Sequence, residues 1–480
     1  MDVLWNPRRV AMIGATNNLG KWGGIILARI LGDEFNGELL PVNPKNEYVL
    51  GQKAVKSLEE LTGPIDLAII VTPASTVPDI LRQAARKSIP AAIVITSGFS
   101  ESGDEGVRLE EEIAGICRQA GMLMVGPNTM GVFSSSPSMN CLMAPVSPLR
   151  GSAACIAQSG NVGTHMLFRG KLRGLGYEKF VSSGNEGDTS FEEYLWYFGQ
   201  DPRVNAVLGY MEGLDPDSDF MDIAPAVTRE KPVIVYKGGR TGAGAHAASS
   251  HTGALAGEME VFAGAMRQAG VIMAESNKQV VELARALELQ PVPKGSRIGI
   301  LTRGGGWGVI TADACAEAGL TITRLSDETL QKLDKILPPY WSRGNPVDMV
   351  AVLSNQAYID CLEIVEKDPN VDAVIALGAN VTAQGSSTLD TLRQMNLMSD
   401  EEIKEKEARL YAEAEEFVNS LREYLDQSEK TVLTVGRWRE RPDWESGLMM
   451  IQEPEEAARM MARMVEYGNY LARTEGKDRG

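Results

Sequence analysis

The sequence has few of the residues that build disulfide frameworks and metal sites. It contains only three histidines and five cysteines in 480 residues. The cysteines are scattered, odd in number and never spaced as Cys-x-x-Cys: Cys117, Cys141, Cys155, Cys315 and Cys361. Most lie inside apolar runs, where a small buried thiol is the default interpretation. The pattern therefore predicts neither a disulfide framework nor a zinc site.

Long apolar runs and an excess of positive charge are also missing. No run approaches the ~18 consecutive apolar residues of a transmembrane helix, and the first residues lack the charged-then-apolar pattern of a secretion signal. The formal net charge of −17 argues against nucleic acid or an anionic membrane as the main partner, because both would repel the chain. These absences predict a cytoplasmic protein, and they leave room for local basic groups in a phosphate pocket.

What the sequence does contain is an alternation of short valine- and isoleucine-rich runs with helix-length amphipathic segments. This alternation predicts an α/β protein with parallel sheets built from βαβ units. A chain of 480 residues is too long for one core and predicts roughly three domains. Proline and glycine clusters mark two linkers, which predicts domains at residues 1–148, 149–290 and 291–480.

One charged helical segment, near residues 399–430, departs from the alternation. Apolar side chains recur near one face of it, at Ile403, Leu410, Phe417, Leu421 and Tyr424. The favoured interpretation is a surface helix that packs this stripe on its own domain. A contact with a partner subunit is the alternative.

The first predicted strand, Arg9–Ile13, is followed by a turn, Gly14–Lys21, and a helix. A helix N-terminus after a strand is a natural place for a phosphate group. The turn nevertheless fails both common nucleotide motifs, because Thr16 and Leu19 occupy the glycine positions of the dinucleotide template and Trp22 follows the lysine. The turn alone is therefore a weak signal.

The end of the second strand reads Pro41–Lys45 and presents a cation. An NAD site usually has an acidic residue at this point. Lys45 instead fits a ribose that carries a phosphate, as in coenzyme A or NADP. A surface lysine after a turn is the alternative.

Two further glycine-rich turns join a strand to a helix, at Ala157–Gly163 and Leu301–Gly308. Consecutive glycines leave backbone N–H groups uncovered, and each helix N-terminus carries roughly half a positive charge. Two such ends could hold one phosphoryl group. Close packing of helix against strand also needs small residues and is the alternative.

The loop Lys237–Gly257 has almost no apolar bulk and carries His246 and His251 on a glycine- and alanine-rich backbone. A loop of this composition suits a histidine that must move or be reached, and His251 is the candidate. Glu212 follows a buried-type strand at its carboxyl end, where open α/β sheets place binding residues. Such a carboxylate could fix the tautomer of an imidazole and leave its other nitrogen nucleophilic.

Together these motifs resemble the α subunit of NDP-forming acyl-CoA synthetases, the ADP-forming acetyl-CoA synthetase group related to succinyl-CoA synthetase. The resemblance covers residues 10–350, and more weakly the chain up to residue 473. Its most specific segments are Gly238–Gly257, Gly126–Gly131 and Asn345–Asp348. It implies a Rossmann-like CoA-binding domain followed by two flavodoxin-like ligase domains.

The resemblance also implies a role for each candidate residue. His251 looks like the histidine that is phosphorylated during turnover, and Glu212 like the glutamate that hydrogen-bonds it. The positions that match the phosphate-holding helix starts are Ser159, Gly160, Asn161, Val162, Gly163, Gly304, Gly305 and Gly306. The positions that match the coenzyme A site are Gly14, Ala15, Thr16, Lys21, Asn43, Lys45, Thr72, Pro73, Ser97 and Gly98. His165 and His246 match no catalytic histidine, and Trp307 departs from the small residue or proline expected in its turn.

The implied reaction interconverts acyl-CoA, ADP and phosphate with free acid, coenzyme A and ATP. No segment resembles the ATP-grasp module that binds ATP or ADP with Mg²⁺, so the resemblance implies a separate β subunit in a heteromer such as α2β2. A noncatalytic CoA-binding regulatory subunit is one alternative, but it would have no reason to keep His251 with Glu212. An NADP-dependent oxidoreductase would use Lys45, but the sequence offers no pair of residues for a hydride site.

Overall fold

The computed structural model describes residues 1–214, 218–244, 259–350, 352, 354–379, 386–436 and 447–478. The chain divides into two compact units, one of residues 1–171 with 175–284 and the other of residues 172–174 with 285–480. None of the described helices is both long and apolar enough to cross a membrane. The α/β class and the predominance of parallel strands agree with the sequence. The domain limits at 148 and 290 stay predictions.

The first sheet has five parallel strands in the order β2-β1-β5-β6-β7. The first segment of the chain contains strands β1 (Arg9–Ile13), β2 (Glu38–Val42), β3 (Tyr48–Val49), β4 (Gln52–Lys53), β5 (Leu67–Ile70), β6 (Ala91–Val94) and β7 (Leu123–Val125), and helices α1 (Asp2–Trp5), α2 (Trp22–Gly32), α3 (Val77–Arg86) and α4 (Asp104–Ala120). β5 and β6 are buried along their whole length. Their unbroken apolar sequences follow from this burial, because helices or other elements cover both faces of a parallel sheet.

The second sheet has seven strands in the order β14-β13-β12-β10-β11-β8-β9. Its segment contains strands β8 (Gly131–Ser134), β9 (Met139–Leu142), β10 (Arg150–Ala157), β11 (Tyr177–Ser182), β12 (Ala206–Met211), β13 (Val233–Lys237) and β14 (Ile272–Met273), and helices α5 (Gly160–Arg173), α6 (Phe191–Gln200), α7 (Phe220–Thr228), α8 (Met259–Gln268) and α9 (Asn277–Leu289). The hairpin of β8 and β9 pairs with β11 in antiparallel fashion. This hairpin precedes residue 148 in the chain, yet it extends the second sheet.

The third sheet has six parallel strands: β16-β15-β18-β19-β20, with β17 also on β15. Its segment contains strands β15 (Arg297–Thr302), β16 (Thr321–Ile322), β17 (Val347–Asp348), β18 (Ala373–Leu377), β19 (Thr431–Val435) and β20 (Met450–Ile451), and helices α10 (Gly305–Glu317), α11 (Asp327–Leu333), α12 (Asn355–Glu366), α13 (Ser386–Gln394), α14 (Asp400–Gln427) and α15 (Pro454–Asp478).

The charged helix predicted near residues 399–430 is α14. Ser399 begins it with a capping box, in which its side chain and that of Glu402 satisfy each other's backbone N–H groups. Phe417 packs edge-on against Tyr358 of α12 at a ring-centroid distance of 5.7 Å. Leu421 is buried in the same core. The apolar stripe therefore packs on its own domain, as the favoured interpretation predicts.

All five cysteines are buried and free. Burial raises the pKa of the Cys117 thiol to about 12 and acts in the same direction on the other four. No cluster of histidine, cysteine, aspartate and glutamate that could hold a metal ion occurs among the described residues. The prediction of small buried thiols is therefore confirmed.

Candidate active site

A cavity of about 1920 Å³ lies in the first unit. Its walls include the segments that follow β1, β2, β5, β6, β7, β10, β11 and β12. These are the carboxyl ends of parallel strands from the first and second sheets. Open α/β sheets bind ligands at such ends, and a volume of this size holds a large cofactor.

The predicted coenzyme A positions, with one exception, line this cavity: Gly14, Ala15, Thr16, Lys21, Asn43, Lys45, Thr72, Pro73 and Ser97. The exception is Gly98. Its N–H donates to the Glu101 carboxylate at 2.6 Å, in a turn where Gly98 has a φ of +103°. Gly98 therefore allows the tight turn of this loop, and its N–H group is already hydrogen-bonded to Glu101.

The turn after β1 depends on glycine although it lacks the standard nucleotide motif. Gly14 has a φ of +92°, and a Cβ there would lie 2.1 Å from the Val71 carbonyl oxygen. A Cβ on Gly23, in the first turn of α2, would lie 2.1 Å from the Gly14 carbonyl oxygen. The helix can therefore start tightly against the turn. No side chain caps α2, so its first N–H groups are suited to an anionic ligand.

Asn43 fixes the second loop of the cavity to the first. Its Nδ2 donates to the Ala15 carbonyl oxygen at 2.7 Å, and its Oδ1 accepts from the backbone N–H of Lys45 at 2.8 Å and of Asn46 at 2.9 Å. The side chains of Lys21 and Lys45 are exposed. Neither forms an ion pair with a described residue. Both cations are therefore available to phosphate groups at this end of the cavity.

Of the five residues predicted to hold a phosphate at the start of α5, only three line the cavity. Ser159, Gly160 and Asn161 line it at the beginning of α5. Gly163 does not, and a Cβ there would lie 2.5 Å from that of Ala157 on β10. Val162 does not line it either. At Gly163 the alternative interpretation applies, because the small residue serves close packing of helix against strand.

Glu212 follows the last residue of β12 and lines the cavity with 9% of its surface exposed. Its backbone N–H donates to Gln158 Oε1 at 2.6 Å, and its Oε1 accepts from the Tyr210 hydroxyl at 3.3 Å. Its Oε2 is buried and has no hydrogen-bond partner among the described residues. A buried carboxylate oxygen without a donor is costly, so this oxygen is suited to a donor that arrives with a ligand or a loop.

Lys237, the last residue of β13, holds the backbone of Glu212 through a hydrogen bond. The residue is 2% exposed, and its ammonium group donates to the carbonyl oxygens of Glu212 at 2.5 Å and Gly238 at 2.6 Å. Burial lowers the pKa of Lys237, and the nearby Glu212 charge opposes this effect. The lysine thus fixes both the backbone of Glu212 and the beginning of the histidine loop.

His251 and His246 lie outside the described residues. The third histidine, His165, is exposed on α5, and its Nδ1 lies 3.1 Å from Asn277 Nδ2. It does not line the cavity.

Glu186 is a cavity residue that the sequence did not reveal. It follows β11 in the turn Gly184–Gly187, accepts from the Ser183 hydroxyl at 2.6 Å and from Gln158 Nε2 at 3.3 Å, and lines the cavity. Burial raises the pKa of its carboxyl to about 7. The turn, Gly-Asn-Glu-Gly, was a usable signal, but it has meaning only when β11 is recognised as a strand.

In the second unit, Gly304 is the N-cap of α10, and Gly305 and Gly306 form the first turn of the helix. The Thr302 hydroxyl donates to the Gly304 carbonyl oxygen at 2.9 Å. No side chain caps the helix, so this helix start is suited to an anion. Trp307 is 54% exposed and therefore does not serve as a core residue of its domain.

Three family models match the chain in succession. They are a CoA-binding domain over residues 8–135, a succinyl-CoA ligase-like flavodoxin domain over residues 150–287 and a ligase-CoA domain over residues 298–387. The fold, the cavity and these matches define a coenzyme A-binding acid–thiol ligase of the succinyl-CoA ligase type.

Comparison with individual relatives identifies the family within this class. The chain is 37% identical to the α subunit of ADP-forming acetate–CoA ligase II of Pyrococcus furiosus, over 78% of this chain and 82% of that one. It is 38% identical to ADP-forming acetate–CoA ligase I of Archaeoglobus fulgidus over 78% of its length, but spans only 54% of that longer protein. The chain therefore belongs to the ADP-forming acyl-CoA synthetase family, with the α subunits.

A solved structure agrees over nearly the whole chain. The acetyl-coenzyme A synthetase 1 of Ca. Korarchaeum cryptofilum, described as dinucleotide forming and solved with phosphate and ADP, superposes with a TM-score of 0.84 at 28% identity. The match covers 98% of both chains. The fold class and the resemblance predicted from the sequence are confirmed. The relatives favour a ligase over a regulatory CoA-binding subunit or an oxidoreductase.

Proposed function

We propose that this chain is the coenzyme A- and acyl-binding α subunit of an ADP-forming acyl-CoA synthetase that works through a phosphorylated His251. It interconverts acyl-CoA, ADP and phosphate with a small carboxylic acid, coenzyme A and ATP. One observation carries the proposal. A single cavity is lined by the predicted coenzyme A loops, by the start of α5 and by Glu212, so a cofactor held by the loops can present its thiol end to a phosphate.

Coenzyme A binds at the loops after β1, β2, β5 and β6 in this proposal. Lys21 and Lys45 contact its phosphate groups, because both are exposed cations without an ion pair among the described residues. The uncapped start of α2 contributes backbone N–H groups. Coenzyme A thus enters as a substrate with its anionic end at the basic side of the cavity.

The buried Oε2 of Glu212 is the acceptor for a ring N–H of His251. This hydrogen bond fixes the tautomer and makes the other ring nitrogen nucleophilic. The start of α5, at Ser159, Gly160 and Asn161, stabilises the phosphoryl group. Gly304–Gly306, at the start of α10, are proposed as a second set of phosphate-holding backbone N–H groups.

The reaction from acyl-CoA begins with attack of a phosphate oxygen on the thioester carbon. The C–S bond breaks, which gives an acyl phosphate and coenzyme A. The nucleophilic nitrogen of His251 then attacks the phosphorus, and the P–O bond to the acyl group breaks, which releases the carboxylate. The loop finally transfers the phosphoryl group to ADP.

The nucleotide is proposed to bind to a partner. Relatives named as α subunits imply a partner subunit, and we assign it an ATP-grasp module that holds ATP or ADP with Mg²⁺. The complex would be a heteromer such as α2β2. The phosphoryl group travels on His251 because the acyl and nucleotide sites belong to different subunits.

The test is phosphorylation of the chain. With its partner and ³²P-labelled ATP, the wild-type chain should carry a label that is acid-labile and base-stable, and His251→Ala should lose it. His165→Ala is the matched control, because His165 is exposed and does not line the cavity. Equal labelling in His251→Ala refutes the phosphohistidine. Tighter binding of NADP than of coenzyme A would favour the oxidoreductase instead.

A further inference from the structure

The turn that carries Glu186 lines the cavity and is anchored by backbone hydrogen bonds to the segment Gly126–Pro127. A Cβ on Gly184 would lie 2.2 Å from the Pro127 carbonyl oxygen, and the N–H of Asn185 donates to that oxygen at 3.0 Å. The N–H of Gly187 donates to the Gly126 carbonyl oxygen at 3.1 Å. Between these anchors Glu186 has a φ of +56°, which is uncommon for a residue with a side chain. The backbone of the turn is thus anchored on both sides of Glu186.

Glu186 belongs to the phosphate end of the cavity. Gln158 connects it to Glu212, since the side-chain amide of Gln158 donates to Glu186 and accepts from the backbone N–H of Glu212. Gln158 is also separated by Ser159 alone from Gly160, where α5 begins. The carboxyl group is therefore one side chain away from both elements that are proposed to hold the reacting phosphate.

The surroundings of this carboxyl are mostly acidic. The titratable groups that line the cavity or surround the turn are Lys21, Lys45, Glu101, Glu110, Asp188, Glu192, Glu193, Tyr194, Glu212 and Asp219. Burial is the largest cause of the raised pKa of Glu186, and the charge of Glu192, itself 6% exposed, adds to it. The hydrogen bonds from Ser183 and Gln158 act in the opposite direction. A carboxyl with a pKa of about 7 exchanges protons readily in both directions near neutral pH.

The proposed reaction contains a proton transfer to which no residue has been assigned. The thiol of coenzyme A must lose its proton when its sulfur attacks an acyl phosphate, because the thiolate is the nucleophile. An alkyl thiol with a pKa of about 8.5 is only a few per cent ionised at pH 7. A general base near the reacting sulfur removes the thiol proton during the attack, so the small ionised fraction of the thiol no longer limits the rate.

We propose that Glu186 is the general base that takes the thiol proton of coenzyme A during thioester synthesis, and the general acid that returns it during thioester cleavage. In synthesis the proton moves to the Glu186 carboxylate as the S–C bond forms at the acyl carbon. The C–O bond to phosphate breaks, and the phosphate leaves with the electron pair. The proton then passes from Glu186 to the departing phosphate. This role rests on the proposed function, which supplies the acyl phosphate.

The test separates the thiol step from the phosphorylation step. In the complex with the partner subunit, and with acetate as the acid, Glu186→Gln should still be labelled by ³²P-ATP at the wild-type rate, because that step involves no thiol. Its kcat for thioester formation at pH 7 should fall by about 100-fold, within the range typical of a general base. Its KM for coenzyme A should stay within threefold. Glu186→Asp, which keeps a carboxylate, should recover part of the rate.

The pH profile provides the decisive readout. The wild-type rate of thioester formation should decrease as the pH falls below about 7, because protonated Glu186 cannot accept the thiol proton. The rate of Glu186→Gln should instead rise about tenfold per pH unit up to the pKa of the thiol near 8.5. Glu111→Gln, an exposed glutamate on α4, is the matched control and should retain the wild-type profile.

Two results overturn the inference. One is a Glu186→Gln variant with a thioester rate within threefold of the wild type and the same pH profile. The other is a variant that loses labelling and thioester formation together, because that indicates a structural role through Gln158 and Glu212. Absence of label in the wild-type complex is a different result, since it refutes the phosphohistidine and with it the proposed function.

Discussion

Replacement of Glu212 by glutamine separates the structural contribution of this residue from its chemical one. The substitution keeps the shape of the side chain and its hydrogen bond to Tyr210, but it removes the negative charge. In the wild type, Oε2 is buried without a partner among the described residues. A polar group in that situation costs about 1–3 kcal/mol, so the neutral amide removes part of a penalty.

An opposing effect comes from Lys237. Its ammonium group is buried and donates to the Glu212 carbonyl oxygen, and the Glu212 charge raises its pKa against the effect of burial. Loss of this attraction destabilises the variant, and each of the two opposing effects is on the order of 1–3 kcal/mol. Because they act in opposite directions, we expect the free energy of unfolding of Glu212→Gln to change by less than about 2 kcal/mol.

The chemical effect has no such compensation. An amide N–H aimed at the ring of His251 cannot accept its proton, so the tautomer is no longer fixed and the positive charge of the phosphorylated ring is not balanced. We expect labelling of the chain by ³²P-ATP to slow by about 100-fold, as when a single preorganised electrostatic contact is removed from an active site. Rapid-quench labelling and denaturant unfolding measure the two effects on the same preparation.

Glu111→Gln is the control for loss of an exposed glutamate charge. Labelling of Glu212→Gln within threefold of the wild type would refute the assignment of Glu212 to the histidine. Slower labelling together with a loss of several kcal/mol in unfolding free energy would mean that Glu212 is needed for folding and would refute the reasoning on its orphan oxygen.

Two further predictions concern the coenzyme A loops. Gly14→Ala should weaken coenzyme A binding by at least tenfold in calorimetry, because its Cβ would lie 2.1 Å from the Val71 carbonyl oxygen at a φ of +92° and the turn must move; unchanged affinity would contradict this. Lys45→Gln should weaken coenzyme A binding about tenfold at low salt and less at high salt, because the lost attraction is between exposed charges. Lys56→Gln, also exposed, should bind like the wild type, and an equal loss in both variants would show that only overall charge matters.

The sequence predicted the candidate site as far as it depends on the ends of strands. Parallel strands have their carboxyl ends at the same edge of a sheet, so residues that follow predicted strands are predicted to meet. Gly14, Asn43, Thr72 and Glu212 each follow such a strand, and all line the cavity. The apolar stripe of α14 was also predictable, because its period of 3.6 residues is a local property.

Strand β11 was not predictable in this way, because two charged residues interrupt the apolar pattern that indicates a buried strand. Glu178 and Lys179 interrupt an otherwise apolar run, yet both are buried. Lys179 forms an ion pair with Asp201, which lies between α6 and β12, and its attraction helps keep the pKa of Asp201 below the usual range. Buried charges are tolerated when they are paired, and the partner lies more than 20 residues away in the chain.

The sequence by itself determined the α/β class and the family, and it predicted His251 and Glu212 as site residues, because local patterns and motifs carry this information. The tertiary structure decided which small residues line the cavity and which serve packing. Neither Gly98 nor Gly163 lines the cavity. The N–H of Gly98 donates to Glu101, and Gly163 packs against Ala157 of β10. The tertiary structure also brought Glu186 beside Gln158. Proximity and burial are properties of the folded chain, and they alone give this carboxyl its pKa and its proposed role.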